Sequence, residues 1–320
     1  MRLLQYNEAI NEALSEELAR DEKVFMLGEG IGVSSLATTR GLVQKYGPDR
    51  VIDTPIAEAA ITGCAIGAAT MGYRPIADLM YSDFLYVAAD DVLIRAPQWR
   101  FLHGGRQSLP IVFIAGSGGY RKVGPEHSHS PHSIMLHHPG LKVVMPSTPY
   151  DAKGLLKASI RDNNPVFYMF HKALIGMKED VPEEEYIIPL GQAKVRREGT
   201  DVTVVAASYM NSLAIQAADK LKGEISVEVI DPRTLEPLDL DTILKSVIKT
   251  GRMVIVDEDT ERCGFAGELM AQVMEHAFDE LDAPIKRVCA ANYPIPSGFL
   301  EKFVLPQPGQ ILAAIREVVK

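Results

Sequence analysis

The stretch Asp53-Thr54-Pro55-Ile56-Ala57-Glu58 runs directly into Ala59-Ala60-Ile61-Thr62-Gly63-Cys64-Ala65-Ile66-Gly67-Ala68-Ala69. Proline favours an extended residue before it and is tolerated at a helix start, so the stretch predicts a strand end followed by a helix. This helix consists almost wholly of small and apolar residues, which let other backbone approach closely. It carries a single carboxylate, Glu58, in its first turn.

The position of Glu58 is compatible with two interpretations. In the first, the helix is simply buried, and the acid is stabilised by the positive end of the helix dipole. In the second, the carboxylate lies in a dry interface and binds a nitrogen atom of a cofactor. The chemistry of this stretch does not separate the two.

Composition and charge limit the class of protein. The chain has 320 residues, 47% of them hydrophobic, which is enough for two globular domains. Its formal charge of −9 argues against nucleic acid as a partner, because phosphate binding requires a basic surface. We find no apolar run long enough for a membrane span or a signal peptide. Three widely separated cysteines predict reduced thiols in a cytoplasmic protein.

Short apolar, β-branched runs alternate with helical segments in the first half of the chain. These runs are Val24–Leu27, Val51–Asp53, Ile111–Ala115, Val143–Met145 and Val166–Phe170. Helices are expected near residues 7–20 and 84–103. The alternation predicts an α/β fold with a mostly parallel sheet that has helices on both faces.

The character of the sequence changes around residues 177–189. This segment is charged and interrupted by proline, and we interpret it as an exposed linker. A second, smaller α/β domain follows it. Its strands are expected at Val202–Ala207, Ser226–Ile230, Met253–Val256 and near Val288. Its helices are expected near residues 211–221, 241–249, 266–281 and 309–318. The predicted domains are therefore residues 1–188 and 189–320.

Five of the eight histidines cluster after the glycine-rich segment 116–119: His127, His129, His132, His137 and His138. A metal site is one interpretation, although no cysteine joins them and the spacing on a Gly/Pro loop is undefined. A plain surface loop is another. The third is a catalytic histidine, because imidazole titrates near neutrality and both orients substrate and transfers protons.

Several segments together resemble the β subunit of thiamine-diphosphate-dependent 2-oxo-acid dehydrogenases, in the transketolase-like superfamily. The segments are 53–69, Glu126-His127-Ser128-His129-Ser130, Pro139-Gly140-Leu141-Lys142-Val143-Val144, 146–156, 160–165 and Ile230-Asp231-Pro232-Arg233-Thr234-Leu235. The resemblance extends from about residue 8 to residue 320. It implies a pyrimidine-binding domain followed by a transketolase C-terminal domain.

The resemblance implies a role for each of several residues. Glu58 is expected to hydrogen-bond the pyrimidine ring of thiamine diphosphate and to favour the tautomer that deprotonates the thiazolium carbon. His127 matches the family's active-site histidine. Met80 and Phe84 are expected against the pyrimidine ring with Ile56 nearby, although core packing would give the same pattern. Glu29 matches an acid near the subunit interface, with a solvated loop acid as the alternative.

A structural potassium site is also implied by the resemblance. Its expected ligands are Ile111, Ser159, Ile160, Asp162 and Asn164. A plain helix cap would give a similar sequence. Mg²⁺ is expected to be held mainly by the α subunit, and this chain has no Gly-Asp-Gly segment of the metal-diphosphate type.

The chain departs from the family pattern at several positions. Glu126 and His129 replace glutamines, and His132 stands where an acid is often found. Asp91, Ile94 and Pro97 replace the residues usual on the helix after Phe84.

The function implied is that of a β subunit, active only in an αβ heterotetramer, that decarboxylates a small 2-oxo acid or cleaves acetoin. The acyl group would pass to a lipoyl acyltransferase. The second half of a split transketolase acting on sugar phosphates is one alternative, although no basic phosphate-binding cluster is evident. A non-catalytic α/β binding subunit is another. The polar loop 126–132 favours pyruvate or acetoin over branched-chain substrates.

Overall fold

A computed structural model describes residues 1–320. The strands are β1 Arg2–Gln5, β2 Val24–Glu29, β3 Val51–Thr54, β4 Arg74–Tyr81, β5 Val112–Ser117, β6 Lys142–Val144, β7 Val166–His171, β8 Lys178–Val181, β9 Lys194–Arg197, β10 Val202–Ala206, β11 Val227–Asp231, β12 Thr234–Glu236, β13 Met253–Thr260 and β14 Lys286–Ala290. The α-helices are α1 Tyr6–Arg20, α2 Leu42–Tyr46, α3 Glu58–Thr70, α4 Ala96–Leu102, α5 His132–Leu136, α6 Pro149–Arg161, α7 Tyr209–Lys220, α8 Leu240–Thr250, α9 Phe265–Ala277 and α10 Pro308–Val319.

The chain forms two compact units that do not follow the sequence as two single blocks. The first unit comprises Met1–Ser117 and Ile134–Leu190, and the second comprises Gly118–Ser133 and Gly191–Lys320. The histidine-rich loop up to Ser133 therefore belongs to the second unit, although strands of the first unit precede and follow it.

A parallel sheet forms the centre of the first unit, with strand order β6-β7-β5-β4-β2-β3. Its strands are nearly continuous apolar runs, as expected for strands buried on both faces; every residue of β7 is buried. Because the strands are parallel, their carboxyl ends lie along one edge of the sheet. Glu29 ends β2 at this edge, and the segment after β3 leads into α3 and Glu58.

The helix expected over residues 84–103 is wrong as a single element. The segment contains a 3₁₀ turn at Ser82–Tyr86, a π-helical turn at Asp90–Arg95 and then α4. The amide of Ala96 donates to the Asp91 carbonyl, the i→i−5 pattern of a π turn. Pro97 lacks the amide that would continue the regular α-helical pattern, so the widened turn precedes it.

The linker expected over residues 177–189 is also wrong in part. Residues 178–181 form β8, which pairs antiparallel with β1, with Arg2 opposite Val181. Two charged residues of this segment have partners: Glu185 pairs with Arg161 of α6 at 2.5 Å, and Glu179 accepts a hydrogen bond from the Tyr150 amide of α6 at 3.0 Å. The charges that indicated exposure therefore help to attach the segment to a helix of its own unit.

The second unit has a sheet of order β14-β13-β10-β11-β9. Its strands are parallel except β9, which pairs antiparallel with β11. Helices α7 and α10 contribute to an apolar core that includes Val204, Leu213 and Ile315. The predicted α/β class with a parallel sheet is confirmed.

Candidate active site

Glu58 is the first residue of α3. Its N-cap, Ala57, offers no side-chain hydrogen bond to the helix start, so the first-turn acid is the group that complements the positive end. The Glu58 side chain is buried, with 6% of the residue exposed. Thr62, one turn later, donates to the Glu58 carbonyl at 2.9 Å and to the carboxylate of Asp91 at 2.8 Å. Asp91, one of the departures from the family pattern, thus ties the π-helical turn to α3.

Glu29 lies at the carboxyl end of β2 and is also buried. Its Oε2 atom has no hydrogen-bond partner in the chain. Burial raises the pKa of Glu29, and repulsion from the Glu58 carboxylate raises it further. The structure therefore brings Glu29 and Glu58, both predicted from the sequence, close enough to interact electrostatically. The alternative of a solvated loop acid at Glu29 is not what the structure shows.

Asp78 is a third acid beside them that the sequence analysis missed. It lies in β4, paired with Gly28 of β2, and burial raises its pKa to about 7. A hydrogen bond of 2.8 Å from the Met80 amide opposes this rise, and the Glu29 carboxylate adds to it. Gly28 is required here, because a Cβ atom at that position would lie 2.5 Å from the Asp78 carbonyl oxygen. An acid within the apolar run Ile76-Ala77-Asp78-Leu79 was the available signal.

The predicted ring-contacting residues lie at or after strand ends at the same sheet edge, but they differ in exposure. Met80 has a left-handed backbone, φ 59°, which is rare for a side chain of this type and is common at functional sites. Together with Glu29 and Asp78 it lines a small cavity of about 20 Å³. The ring of Phe84 packs edge-on against Tyr81 at 5.9 Å. Ile56 instead lies on the surface, 77% exposed.

Helix α3 is buried on one face only, so the first interpretation, a simply buried helix, does not describe the chain alone. Ile61, Ala65 and Ile66 are buried, whereas Ala59, Ala60, Cys64 and Gly67 are exposed. The apolar side chains at its ends, Ile56 and Met71, are 77% and 79% exposed. The helix thus has an uncovered face of small and apolar residues.

The histidines of the loop differ in how deeply they are buried. His127 ends a short 3₁₀ turn, Pro125–His127, and is half-buried. His129 is half-buried and lines a cavity of about 380 Å³ with Glu258, Asp259 and Arg262. His132 is fully buried, with its Nε2 atom 2.9 Å from Oδ1 of Asp257. The structure contains no group of three or more His, Cys, Asp or Glu side chains that could hold a metal ion.

The proposed potassium ligands surround the end of α6 and already have hydrogen-bond partners. Arg74 donates to the carbonyls of Ile160 and Asp162 at 3.0 and 2.9 Å. The Asp162 carboxylate accepts from Lys142 and from the Asn164 amide, and these interactions lower its pKa against the effect of burial. Ile111 and Ser159 use their carbonyls in backbone hydrogen bonds to Val166 and Asp162. This loop is ordered by protein groups.

No helix of the chain is both long and apolar enough to cross a bilayer.

Two domain families match the chain in the order expected. The transketolase pyrimidine-binding domain matches residues 3–178, and the transketolase C-terminal domain matches residues 191–311. The two matches together cover most of the chain and establish that it belongs to the transketolase-like family. Membership implies thiamine diphosphate as the cofactor.

Similar proteins have three different substrates in their names. The β subunit of acetoin:2,6-dichlorophenolindophenol oxidoreductase from Cupriavidus necator is 45% identical, covering 100% of this chain and 98% of the relative. The 2-oxoisovalerate dehydrogenase β subunit of Bacillus subtilis is 42% identical, with 100% of both chains covered. The pyruvate dehydrogenase E1 β subunit of Rickettsia felis is 42% identical, with 97% of both covered.

A solved structure shares the fold at low sequence identity. It is an inactive β4 tetramer of a split-gene transketolase, with TM-score 0.81 and 23% identity, covering 99% of this chain and 98% of that chain. At this identity the similarity concerns the fold alone.

Proposed function

We propose that the chain is the β subunit of a thiamine-diphosphate-dependent dehydrogenase component that decarboxylates pyruvate or cleaves acetoin. The acyl group would pass to the lipoyl group of an acyltransferase. The observation that carries this proposal is the buried Glu58 carboxylate at the start of α3, with the unpaired Oε2 atom of Glu29 beside it. The relatives, which are named for acetoin, 2-oxoisovalerate and pyruvate, support this class over a split transketolase.

The residues of the first unit fit the pyrimidine part of the cofactor. A buried carboxylate at a helix start is a strong, pre-placed hydrogen-bond acceptor for a ring nitrogen. When bound, thiamine diphosphate supplies a nucleophilic carbon and an electron sink for breaking the bond beside a carbonyl group. Met80 and Phe84 would contact the ring. Ile56 would do so only when a partner chain covers it, since it is exposed here.

We propose different roles for the three buried acids Glu58, Glu29 and Asp78. Glu58 would accept a hydrogen bond from the pyrimidine ring and hold it in place. Glu29 and Asp78 have raised pKa values, so they take up and release protons closer to neutral pH than ordinary carboxyl groups. His127 would act on the substrate side, where an imidazole orients the carbonyl-bearing substrate and exchanges a proton with it.

The partner proposed is an α subunit, in an αβ heterotetramer. The uncovered face of α3 supports this, because large exposed apolar patches on a protein surface mark interaction sites. Covering this face would exclude water from the vicinity of Glu58. Mg²⁺ would be held mainly by the α subunit.

We propose that potassium binds at residues 111 and 159–164 in addition to the protein groups that already order this loop. Each carbonyl oxygen has a second lone pair beside the hydrogen bond it already accepts. Because Arg74 and Lys142 order the loop without a metal, we expect replacing KCl by NaCl to change the melting temperature little. A large loss of stability on this exchange would show that the cation is structural.

Reconstitution tests the proposed function. The chain alone is expected to show no decarboxylase activity. Co-expressed with its α subunit, it should form a heterotetramer that binds thiamine diphosphate with Mg²⁺ and acylates a lipoyl domain. Tight and catalytically productive cofactor binding by the isolated chain would contradict the divided site, and transfer of a ketol group between sugar phosphates would favour the transketolase alternative.

A further inference from the structure

The buried pair His132–Asp257 joins the loop that carries His127 to the sheet of the second unit. His132 Nε2 lies 2.9 Å from Asp257 Oδ1, and the imidazole ring packs edge-on against Phe265 with ring centroids 6.3 Å apart. Both side chains of the pair are almost fully buried. Because an ionised carboxylate only accepts hydrogen bonds, His132 donates through Nε2.

Asp257 is itself fixed by backbone amides. Oδ1 accepts from the Asp259 amide at 3.1 Å, and Oδ2 accepts from the Ala266 amide in the first turn of α9 at 3.1 Å. These bonds and the positive end of α9 stabilise the negative charge of the carboxylate. Asp257 is therefore a rigid anchor, and His132 is the loop residue that binds to it.

The first residues of the loop, near Gly119, are held by two acidic side chains of the second unit. The Gly119 amide donates to Glu258 at 2.6 Å, and the Lys122 amide donates to Glu301 at 3.2 Å. Within the loop, the Gly118 amide donates to the His129 carbonyl at 2.9 Å. The consecutive residues Asp257 and Glu258 thus fix both ends of the segment 119–132. Between these anchors lies His127.

The surroundings of His132 favour its charged form. Burial lowers the pKa of His132, but attraction and hydrogen bonding from Asp257, with smaller contributions from Asp259 and Glu258, raise it to about 9. On the adjacent strand β14, burial raises the pKa of the Cys289 thiol to about 12, so this group is neutral. Attraction and hydrogen bonding from His132 lower the pKa of Asp257 against the effect of burial. These shifts favour the ion-paired form of His132 and Asp257 near neutral pH.

We propose that His132, bound to Asp257, is a positioning residue that holds the His127 loop in its working conformation. The role of His127 in acyl transfer rests on the proposed function, whereas the fixing of the loop does not. His132 itself does not touch substrate, because both partners of the pair are buried in the second unit.

The first test uses the full chain without a partner. In Asp257→Asn the charge of the anchor is lost, and hydrogen exchange of residues 118–133 should accelerate about tenfold or more relative to wild type. The control Asp279→Asn removes an exposed acid of the same unit and should leave the exchange unchanged. Should Asp257→Asn not fold, His132→Gln with the same measurement takes its place. Unchanged exchange in the loop would overturn the proposal.

The second test separates positioning from simple stabilisation by a pH profile in the reconstituted complex. In wild type, kcat for lipoyl acylation should fall as pH rises through about 9, where His132 loses its proton. In Asp257→Asn this limb should move to near or below the ordinary histidine value, with KM for substrate little changed. The double variant His132→Gln/Asp257→Asn keeps a neutral hydrogen bond and should recover activity without that limb. An alkaline limb identical in all variants would overturn the proposal.

The two tests also distinguish this proposal from the proposed function. A wild-type complex without acylation activity, combined with faster loop exchange in Asp257→Asn, would refute the function while supporting the fixed loop.

Discussion

Glu29 and Glu58, which end a strand and begin a helix in the first unit, place two buried carboxyl groups within electrostatic reach of each other. Burial, and after it repulsion from the Glu58 carboxylate, raise the pKa of Glu29 and favour a proton on that side chain. Asp78, with a pKa of about 7, continues this acidic set into the sheet.

Glu58→Gln should keep the fold and lower activity of the reconstituted complex by about 10²-fold or more. The amide retains the size of the side chain but not the charge that the pyrimidine ring requires. Turnover with saturating cofactor is the measurement, and circular dichroism checks the fold. Glu275→Gln, at an exposed position, is the matched control. Near-wild-type turnover in Glu58→Gln would reduce Glu58 to a helix-terminus acid.

His127→Ala should leave cofactor binding intact and lower lipoyl acylation by about 10²-fold. The variant lacks the imidazole that we propose to orient the substrate and to exchange a proton with it. Acylation rate and cofactor dissociation constant are measured side by side, with His137→Ala at an exposed position as the control. An undiminished acylation rate would assign the role to His129 or to no histidine.

We expect the substitution Asp78→Asn to make the free energy of unfolding less dependent on pH. The folded-state pKa of Asp78 is raised from 3.8 to about 7, so its contribution to stability is fully present below pH 3.8 and is lost as pH rises through 7. Asparagine keeps an acceptor for the Met80 amide and has no charge to bury. We expect the variant to be more stable than wild type at pH 8 by about 2 kcal/mol and similar at pH 4.

Denaturant unfolding of the full chain at several pH values between 4 and 8 measures this difference. Asp279→Asn should follow the wild-type curve. A constant offset of Asp78→Asn across the range would mean that packing, and not ionisation, accounts for the change.

The sequence predicted elements best where one physical signal dominated. Buried parallel strands such as β7 are continuous apolar runs, and Pro55 marked the start of α3 at Glu58, so both were found. Strand β4 was not predicted, since Arg74, Pro75 and Asp78 interrupt its apolar pattern. Residues 178–181 were misjudged because their pairing with β1 joins segments far apart in the sequence.

The candidate functional residues were predictable to the extent that they lie in local motifs. Glu58 and His127 come from recognisable segments, and Glu29 follows a strand. Asp257, in contrast, binds a histidine 125 positions away, and no local pattern indicates that partner. The exposed face of α3 could not be predicted either. A run of alanine and glycine has the same sequence pattern whether it packs against its own chain or against a partner chain.

The reconstituted complex should prefer pyruvate or acetoin over 2-oxoisovalerate, by about tenfold in kcat/KM. Two polar residues of the loop are unsuited to select the substrate, because Glu126 is exposed and His132 is paired with Asp257. The remaining polar groups of the loop that could contact a substrate are the half-buried imidazoles of His127 and His129. A branched apolar side chain placed against these imidazoles would bury polar nitrogen atoms beside hydrocarbon, which is unfavourable. His129→Leu should therefore improve kcat/KM for 2-oxoisovalerate relative to pyruvate, whereas His137→Leu should not. A clear preference of the wild-type complex for 2-oxoisovalerate would show that this loop does not select the substrate.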